Sequence, residues 1–197
     1  MAPFDPLTFY VGRVVRGFGP RSRAPEIRDL ARYADASSRT IDSLTGELHW
    51  DYGRGLVCVN TPRSQGAVGF LAKAGRIELG DIAVECDNEY ASVMAIALDD
   101  RPLATSKSVL IQAVTEERPY GFRTDGDRIT SLGGPPLGVK KIAARVWLHS
   151  RAGPTIHAIA LDENGYATSK RVATHMDSAS DVEITLDPTS LYHVIER

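Results

Sequence analysis

The alternation of hydrophobic and polar residues along the chain is mostly that of β-strands. Apolar residues recur at every second position or in short runs, and Gly, Pro, Asn and Asp fall between the runs, where turns need them. Many short strands in one chain favour an antiparallel β-sandwich of the jelly-roll or immunoglobulin-like type. We therefore predict an all-β fold in a single domain covering 1–197. The predicted strands span 8–16, 46–51, 55–60, 67–72, 76–85 with a break at 80–81, 91–98, 108–116, 141–149, 155–162, 168–174, 181–186 and 191–196.

Two stretches depart from the strand pattern. Apolar side chains at helical spacing near 25–35, with Pro25 suited to a first turn, predict one short surface helix. The stretch 120–139 is rich in Gly, Pro, Asp and Thr and predicts a long loop. Such a loop is either a bridge between sheets or a binding loop.

One sequence of fifteen residues occurs twice. Residues 95–109 (copy one) and 158–172 (copy two) are identical at ten of fifteen positions, and most differences fall at 100–103 and 163–166, where a turn is expected. A catalytic site needs different residues that converge from different strands. We therefore interpret the repeat as architectural, a β-hairpin that the fold uses twice.

Charge and hydropathy exclude several classes of function. The chain has 23 basic and 25 acidic residues and a net charge of -2, without a basic block that would bind a nucleic acid backbone. No apolar run is long enough for a membrane-spanning helix. The first residues lack the basic and apolar regions of a signal peptide, so we expect either a cytosolic protein or a piece of a longer chain.

Metal and redox chemistry has little support in the sequence. Cys58 and Cys86 each lie in an apolar run and belong to no C-x-x-C pair, which favours two buried free thiols and leaves a disulfide open. We expect no cofactor, with bound calcium as the alternative. The acidic turns that would bind it contain Asp125, Asp127 and Asp162, and neither turn matches a full calcium-loop signature.

The strongest catalytic candidates are three polar residues on one predicted strand. Glu47, His49 and Asp51 share one face of that strand, while Leu48 and Trp50 share the other. A glycosidase needs two carboxylates across a cleft, which makes this face an alternative active site. The competing interpretation is an exposed polar face above a buried Leu/Trp face.

Carbohydrate binding without catalysis requires exposed aromatic rings and polar side chains that bind hydroxyl groups. The loop residues Tyr120 and Phe122, together with Tyr166 at the tip of copy two, are the aromatic residues that we expect to be exposed. Trp50 is a further candidate, although its place in an alternating strand also suits the core. Arg63, in the turn at 61–66, completes the predicted binding set.

Longer stretches resemble a known group of protein regions. Residues 43–71, which contain TGELHWD and TPRSQGAVGF, resemble the C-terminal all-β region that follows the (β/α)8 barrel in some large bacterial glycoside hydrolases. These enzymes are of the cellulase-like and β-galactosidase-like type. Stretches 79–82, 101–107 and 191–194 fit the same pattern.

The resemblance implies an accessory role. In such enzymes the catalytic acid and nucleophile lie in the barrel, and this chain has no alternating βα units of that kind. The chain is therefore expected to be a non-catalytic accessory module, secreted or extracellular if it belongs to such an enzyme. Its expected partners are a polysaccharide or oligosaccharide and an adjacent catalytic domain. A small all-β glycoside hydrolase and a purely structural domain are the alternatives.

Overall fold

A computed structural model describes residues 6–15, 18–19, 30–149, 156–176 and 181–197. Most of the regular structure in these residues is β-strand, which confirms the predicted all-β class. The helical elements are α1 (Thr8–Val11), α2 (Leu71–Ala74) and a 3-10 helix (Leu30–Arg32). The strands are β1 (Ala34–Asp35), β2 (Thr40–Asp42), β3 (Leu48–Asp51), β4 (Leu56–Asn60), β5 (Ser64–Gly69), β6 (Ile77–Glu78), β7 (Ile82–Cys86), β8 (Ala91–Ala97), β9 (Ser108–Thr115), β10 (Glu117–Tyr120), β11 (Arg123–Asp125), β12 (Arg128–Ser131), β13 (Gly134–Val139), β14 (Ala144–Leu148), β15 (His157–Leu161), β16 (Ala167–Arg171), β17 (Ala173–Met176), β18 (Val182–Thr185) and β19 (Tyr192–Glu196).

The strands form two main sheets, called the large sheet and the small sheet, and two further sheets of two strands each. The large sheet has ten strands in the order β1-β2-β3-β4-β5-β8-β9-β19-β15-β16, and the small sheet has five in the order β17-β18-β14-β7-β6. Strands β10 and β13 pair in one two-stranded sheet, and β11 and β12 pair in another. Neighbouring strands are antiparallel throughout these pairings.

The hydrophobic core lies between the two main sheets. Alternate residues of β8 and β9, such as Val93 and Ile111, are fully buried, as a strand with one face on a core requires. Val84, Val146 and Ile184 of the small sheet belong to the same buried cluster. Two antiparallel sheets that share one apolar layer form a sandwich-like arrangement.

Both copies of the repeat form hairpins in the large sheet, as predicted. Copy one connects β8 to β9, copy two connects β15 to β16, and β19 lies between the two hairpins. Because every neighbour in the sequence of strands β8-β9-β19-β15 is antiparallel, β8 and β15 run in opposite directions. The tips of the two copies therefore lie at opposite ends of the large sheet.

The strand predicted at 8–16 is wrong for residues 8–15, and residue 16 lies outside the described residues. The backbone N–H of Phe9 donates to the carbonyl of Pro6 at 3.2 Å, and the turn that this bond begins continues as α1. Val11 is buried, whereas Phe9 and Tyr10 are exposed. The alternation of apolar residues was therefore insufficient to form a strand here. The predicted strand at 67–72 is also displaced, since β5 ends at Gly69 and α2 follows.

The helix predicted near 25–35 falls partly on residues 25–29, which lie outside the described residues. Its remaining part contains the 3-10 helix and then β1, which pairs with β2. Residues 30–32 are thus helical, whereas residues 34–35 pair with a neighbouring strand.

The long loop predicted near 120–139 is also corrected by the structure. Strands β10 to β13 occupy most of this range as two small antiparallel pairs. Pro135 and Pro136 lie in β13, which has β10 on one side only. Proline is tolerated in such an edge strand because the free side needs no N–H donor. The Gly and Pro content therefore indicated edge strands where we expected a loop.

Candidate binding surface

The strand register defines two ends of the large sheet. Asp51, Leu56, Gly69, Ala91 and Thr115 are paired in one row across β3, β4, β5, β8 and β9. We call the end of the sandwich at this row the open end. The opposite end, where β4 turns into β5 and where the tip of copy one lies, is called the cross-linked end.

A β-arm formed by residues 116–140 leaves the sandwich at the open end. It follows β9 directly, and its base is closed by a hydrogen bond of 3.0 Å from the N–H of Lys140 to the carbonyl of Glu116. Asn88 holds the chain that leaves the arm, because its amide donates to the Lys141 carbonyl at 2.9 Å and accepts from the Ala143 N–H at 2.7 Å. The arm is therefore attached to the sandwich at a fixed position.

A cleft of about 410 Å³ opens on this arm. The ring of Tyr120 is 77% exposed, and the half-buried ring of Phe122 lies in the same cleft. The guanidinium carbon of Arg118 lies 5.5 Å from the centroid of the Phe122 ring. A carboxylate oxygen of Glu116 lies 3.5 Å from Arg118 and 3.3 Å from the ammonium group of Lys140. Aromatic surface and charged hydrogen-bonding groups thus line the same cleft.

The structure brings together only some of the predicted carbohydrate-binding residues. Tyr120 and Phe122 share the arm cleft. Tyr166 is 71% exposed at the tip of copy two, which lies at the open end but in a different hairpin. Trp50 is half-buried, with the ring centroids of Tyr10 and Tyr52 at 4.8 and 5.5 Å.

Arg63 lies at the cross-linked end, far from the arm along the strands. Its guanidinium donates to the carbonyl of Asp99 at 2.7 Å and lies 3.3 Å from the carboxylate of Asp100. These contacts join the β4–β5 turn to the tip of copy one. The geometry therefore gives Arg63 a structural role and does not place it beside Tyr120 and Phe122.

Sequence reasoning missed Arg118 and Lys140 as members of the cleft. Both lie just outside the predicted loop at 120–139, and neither belongs to a motif. The signal that could have found them is the register of β10 against β13, which brings Arg118 opposite Gly138. A hairpin prediction over 116–140 would have placed them on one surface.

The alternative catalytic residues have other partners. Both carboxylate oxygens of Asp51 accept hydrogen bonds from Arg54, at 2.8 Å from its N–H and 2.6 Å from its guanidinium. These bonds hold the pKa of the Asp51 carboxyl below its usual value. His49 contacts Asp42 at 2.7 Å. Glu47 and Asp51 are four residues apart, about 13 Å along an extended chain, which exceeds the spacing of glycosidase carboxylates.

The expected orientation of this strand is also wrong. We expected an exposed polar face above a buried Leu48/Trp50 face, but Asp51 is only 6% exposed and Leu48 is 46% exposed. Asp51 pairs with Leu56, whose side chain is in the core. Alternation assigns side chains to two faces, but it does not indicate which face meets the second sheet.

The calcium candidates lie in separate hairpins. Asp125 and Asp127 are exposed at the turn from β11 to β12. Asp162 uses one carboxylate oxygen to accept the N–H groups of Asn164 and Tyr166, at 2.9 and 2.8 Å. Across the described ranges, no three His, Cys, Asp or Glu side chains are grouped as a metal ion would require.

The two cysteines are free thiols in different sheets. Cys86 is buried in β7 and Cys58 is half-buried in β4. Burial raises the pKa of both thiols, which keeps them protonated and poorly nucleophilic.

Three of the stretches that carry the resemblance meet at the cross-linked end. Gln65, from the stretch 43–71, donates to the Asp81 carboxylate at 2.8 Å and accepts the Asp81 N–H at 2.7 Å. The N–H of Leu103, from the stretch 101–107, donates to the Pro62 carbonyl at 2.8 Å. Because Gln65 lies in the large sheet and Asp81 precedes β7 of the small sheet, this pair joins the two sheets. These contacts form a structural junction between the two sheets.

Comparison of the chain with models of protein families, with curated proteins and with solved structures gives no match. Within the part of the chain that the structure describes, no helix is long and apolar enough to cross a bilayer.

Proposed function

We propose that this chain is a non-catalytic module that binds carbohydrate and accompanies a glycoside hydrolase domain. The observation that carries the proposal is the arm cleft, in which Tyr120 and Phe122 lie beside Arg118, Glu116 and Lys140. Sugar rings present C–H groups that pack on aromatic faces, and their hydroxyl groups need charged or polar partners at the rim. The resemblance to accessory regions of glycoside hydrolases supports the same class of ligand.

The charged residues of the cleft suit hydroxyl recognition. Arg118 and Lys140 are donors, and the Glu116 carboxylate is an acceptor that lies 3.5 Å from Arg118 and 3.3 Å from Lys140. A sugar hydroxyl both donates and accepts, so it satisfies either kind of group. Because the contacts among these side chains are at the surface, a ligand displaces them at little cost.

The hydrolase alternative receives no support from the arrangement of Glu47, His49 and Asp51. Both oxygens of Asp51 are occupied by Arg54, and the carboxylate is buried. The structural alternative is favoured by one observation, the hydrogen-bonded junction at the cross-linked end. That junction concerns the end of the sandwich away from the cleft, so both roles are compatible.

Affinity electrophoresis tests the proposal. The chain is run in native gels that contain xylan, galactomannan, laminarin or hydroxyethylcellulose, and at least one of these should retard it. Tyr120→Ala should weaken the retardation about tenfold, because it removes the exposed ring of the cleft. Leu98→Ala is the control, since Leu98 is also exposed but lies at the cross-linked end, and it should leave the retardation unchanged.

Two results would contradict the proposal. The first is a wild-type chain that no polysaccharide in the panel retards. The second is release of reducing sugar that disappears in Glu47→Gln, because this would show that the chain has its own carboxylate chemistry.

A further inference from the structure

A second pair of exposed aromatic rings lies at the open end, on the sandwich itself. The ring centroids of Phe70 and Tyr90 are 5.4 Å apart and the rings meet edge to face. Their side chains are 42% and 45% exposed. Phe70 follows β5 and Tyr90 precedes β8, and the last paired residues of these strands, Gly69 and Ala91, are directly opposite each other. The register thus brings the two rings together.

The position of the Phe70 ring is fixed by Gly55. A Cβ atom on Gly55 would lie 2.7 Å from the ring, so the ring packs directly on the glycine backbone. Gly55 has φ of +68° and its carbonyl accepts the N–H of Phe70 at 3.2 Å. An exposed ring that is held in place loses little conformational entropy when a ligand binds.

The aromatic pair and the arm cleft lie next to each other because they adjoin two adjacent strands, β8 and β9. Ala91 pairs with Thr115, so Tyr90 and Glu116 are the next residues on these adjacent strands. Glu116 lines the arm cleft, and Asn88, two residues before Tyr90, holds the chain that leaves the arm. From Phe70 to Glu116 the path crosses two strand spacings, about 10 Å. The distance between the two aromatic groups is therefore set by the sheet.

We propose that the carbohydrate site extends from the arm cleft to the Phe70–Tyr90 pair and takes an extended stretch of polysaccharide. This inference rests on the proposed function of the arm cleft. A single sugar ring is too short to contact both aromatic groups, whereas a chain that lies across the open end contacts Tyr120 and Phe122 at one position and Tyr90 at another. Affinity therefore increases with chain length until both groups are occupied.

Binding of oligosaccharides of different length tests the inference. The probes are the disaccharide and the hexasaccharide of the polysaccharide that retards the chain, measured by titration calorimetry. Tyr90→Ala should weaken hexasaccharide binding about tenfold and change disaccharide binding by less than about twofold. Tyr120→Ala should weaken binding of both. Tyr90→Leu keeps apolar volume without the flat ring and should behave as Tyr90→Ala does.

Leu98→Ala, at the cross-linked end, is the control and should leave binding of both probes unchanged. A thermal midpoint equal to that of the wild type shows that each variant is folded. Equal hexasaccharide affinity in the wild type and Tyr90→Ala, with a loss in Tyr120→Ala, would overturn the inference and leave the proposed function standing. If the wild type binds none of the probes, the proposed function fails and the extended site fails with it.

Discussion

Copies one and two share the residues Ala-Thr-Ser-Lys, but these residues adopt different structures in the two hairpins. In copy one they lie in the irregular connection before β9, and the N–H groups of Thr105 and Ser106 donate to the Pro102 carbonyl at 2.9 and 2.8 Å. In copy two they form most of β16, the edge strand of the large sheet. Identical local sequence therefore does not determine local structure here.

The four differing residues at each turn account for the difference. Copy two has Gly165 at φ +85°, which allows a short turn closed by a 3.0 Å bond from the Gly165 N–H to the Asp162 carbonyl. Copy one has Pro102 and Leu103 at the corresponding positions, and Leu103 is only 1% exposed. The free energy gained by burying Leu103 holds the tip of copy one against the sandwich at the cross-linked end. The tip of copy two is exposed to solvent.

The two copies should differ most in the stability that Leu103 and the equivalent residue, Tyr166, contribute. Leu103→Ala should lower the free energy of unfolding by about 3 to 4 kcal/mol, because it leaves a cavity in the core. Tyr166→Ala, at the equivalent position of copy two, should change it by less than about 0.5 kcal/mol. Urea unfolding measures both values. Equal losses would mean that the two tips are anchored alike.

The strand between the two copies should make the sandwich sensitive to acid. His193 of β19 is fully buried between Ile111 and Ala160, and burial lowers its pKa from 6.5 to about 4. The unfolded state has the higher pKa and binds the proton first, so stability falls as the pH decreases from about 6.5 to about 4. The full effect is about 3 kcal/mol.

Unfolding free energies measured across this pH range test the effect. His193→Gln should remove this part of the pH dependence, because Gln does not titrate. A wild-type curve that is flat between these pH values would contradict the assignment. The carboxyl of Asp187, whose pKa is lowered by hydrogen bonds from Thr189, contributes in the same direction only at lower pH.

A smaller loss of unfolding free energy is expected at the junction between the two sheets, formed by Gln65 and Asp81 at the cross-linked end. Gln65→Ala removes the bonds to Asp81 across the two sheets and should cost about 2 kcal/mol, since it leaves the half-buried carboxylate and N–H of Asp81 without this partner. Gln112→Ala, on the outer face of β9, is the matched control and should cost less than about 0.5 kcal/mol. If the two variants were equally stable, the junction would not hold the sheets together.

The smallest expected losses of stability come from substitutions in the two turns. Gly165→Ala should cost about 1 kcal/mol, because an L side chain at this positive φ is strained. Pro102→Ala in copy one should cost about 0.5 kcal/mol through greater freedom of the unfolded chain. Thermal unfolding resolves the order, and a larger loss in Pro102→Ala would contradict it.

The sequence predicted the β class and most central strands because alternation is reliable where one face of a strand is buried. The predicted break at Gly80-Asp81, between β6 and β7, is also confirmed. Prediction failed where tertiary contacts decide the structure. The repeat could not reveal that Leu103 is buried and Tyr166 exposed, and the outward orientation of Leu48 depends on where the second sheet packs.

Within the candidate site, the aromatic residues of the arm were identified and their polar partners were not. Tyr120 and Phe122 stand out in a Gly-rich stretch, whereas Arg118 and Lys140 become neighbours only through the β10–β13 register. Phe70 and Tyr90 are twenty residues apart in the sequence and meet because β5 pairs with β8. Which residues meet in the site is therefore decided by the pairing of strands that are distant in the sequence.

We propose that the open end binds carbohydrate and that the cross-linked end holds the fold together. A titration of the ¹⁵N-labelled chain with the hexasaccharide, followed by NMR, tests it most directly. We expect shifts at Tyr90 and along the arm from Glu116 to Phe122, with Gln65, Asp81 and Leu103 unchanged. Shifts concentrated at Gln65, Asp81 and Leu103, with an unaffected arm, would contradict the claim.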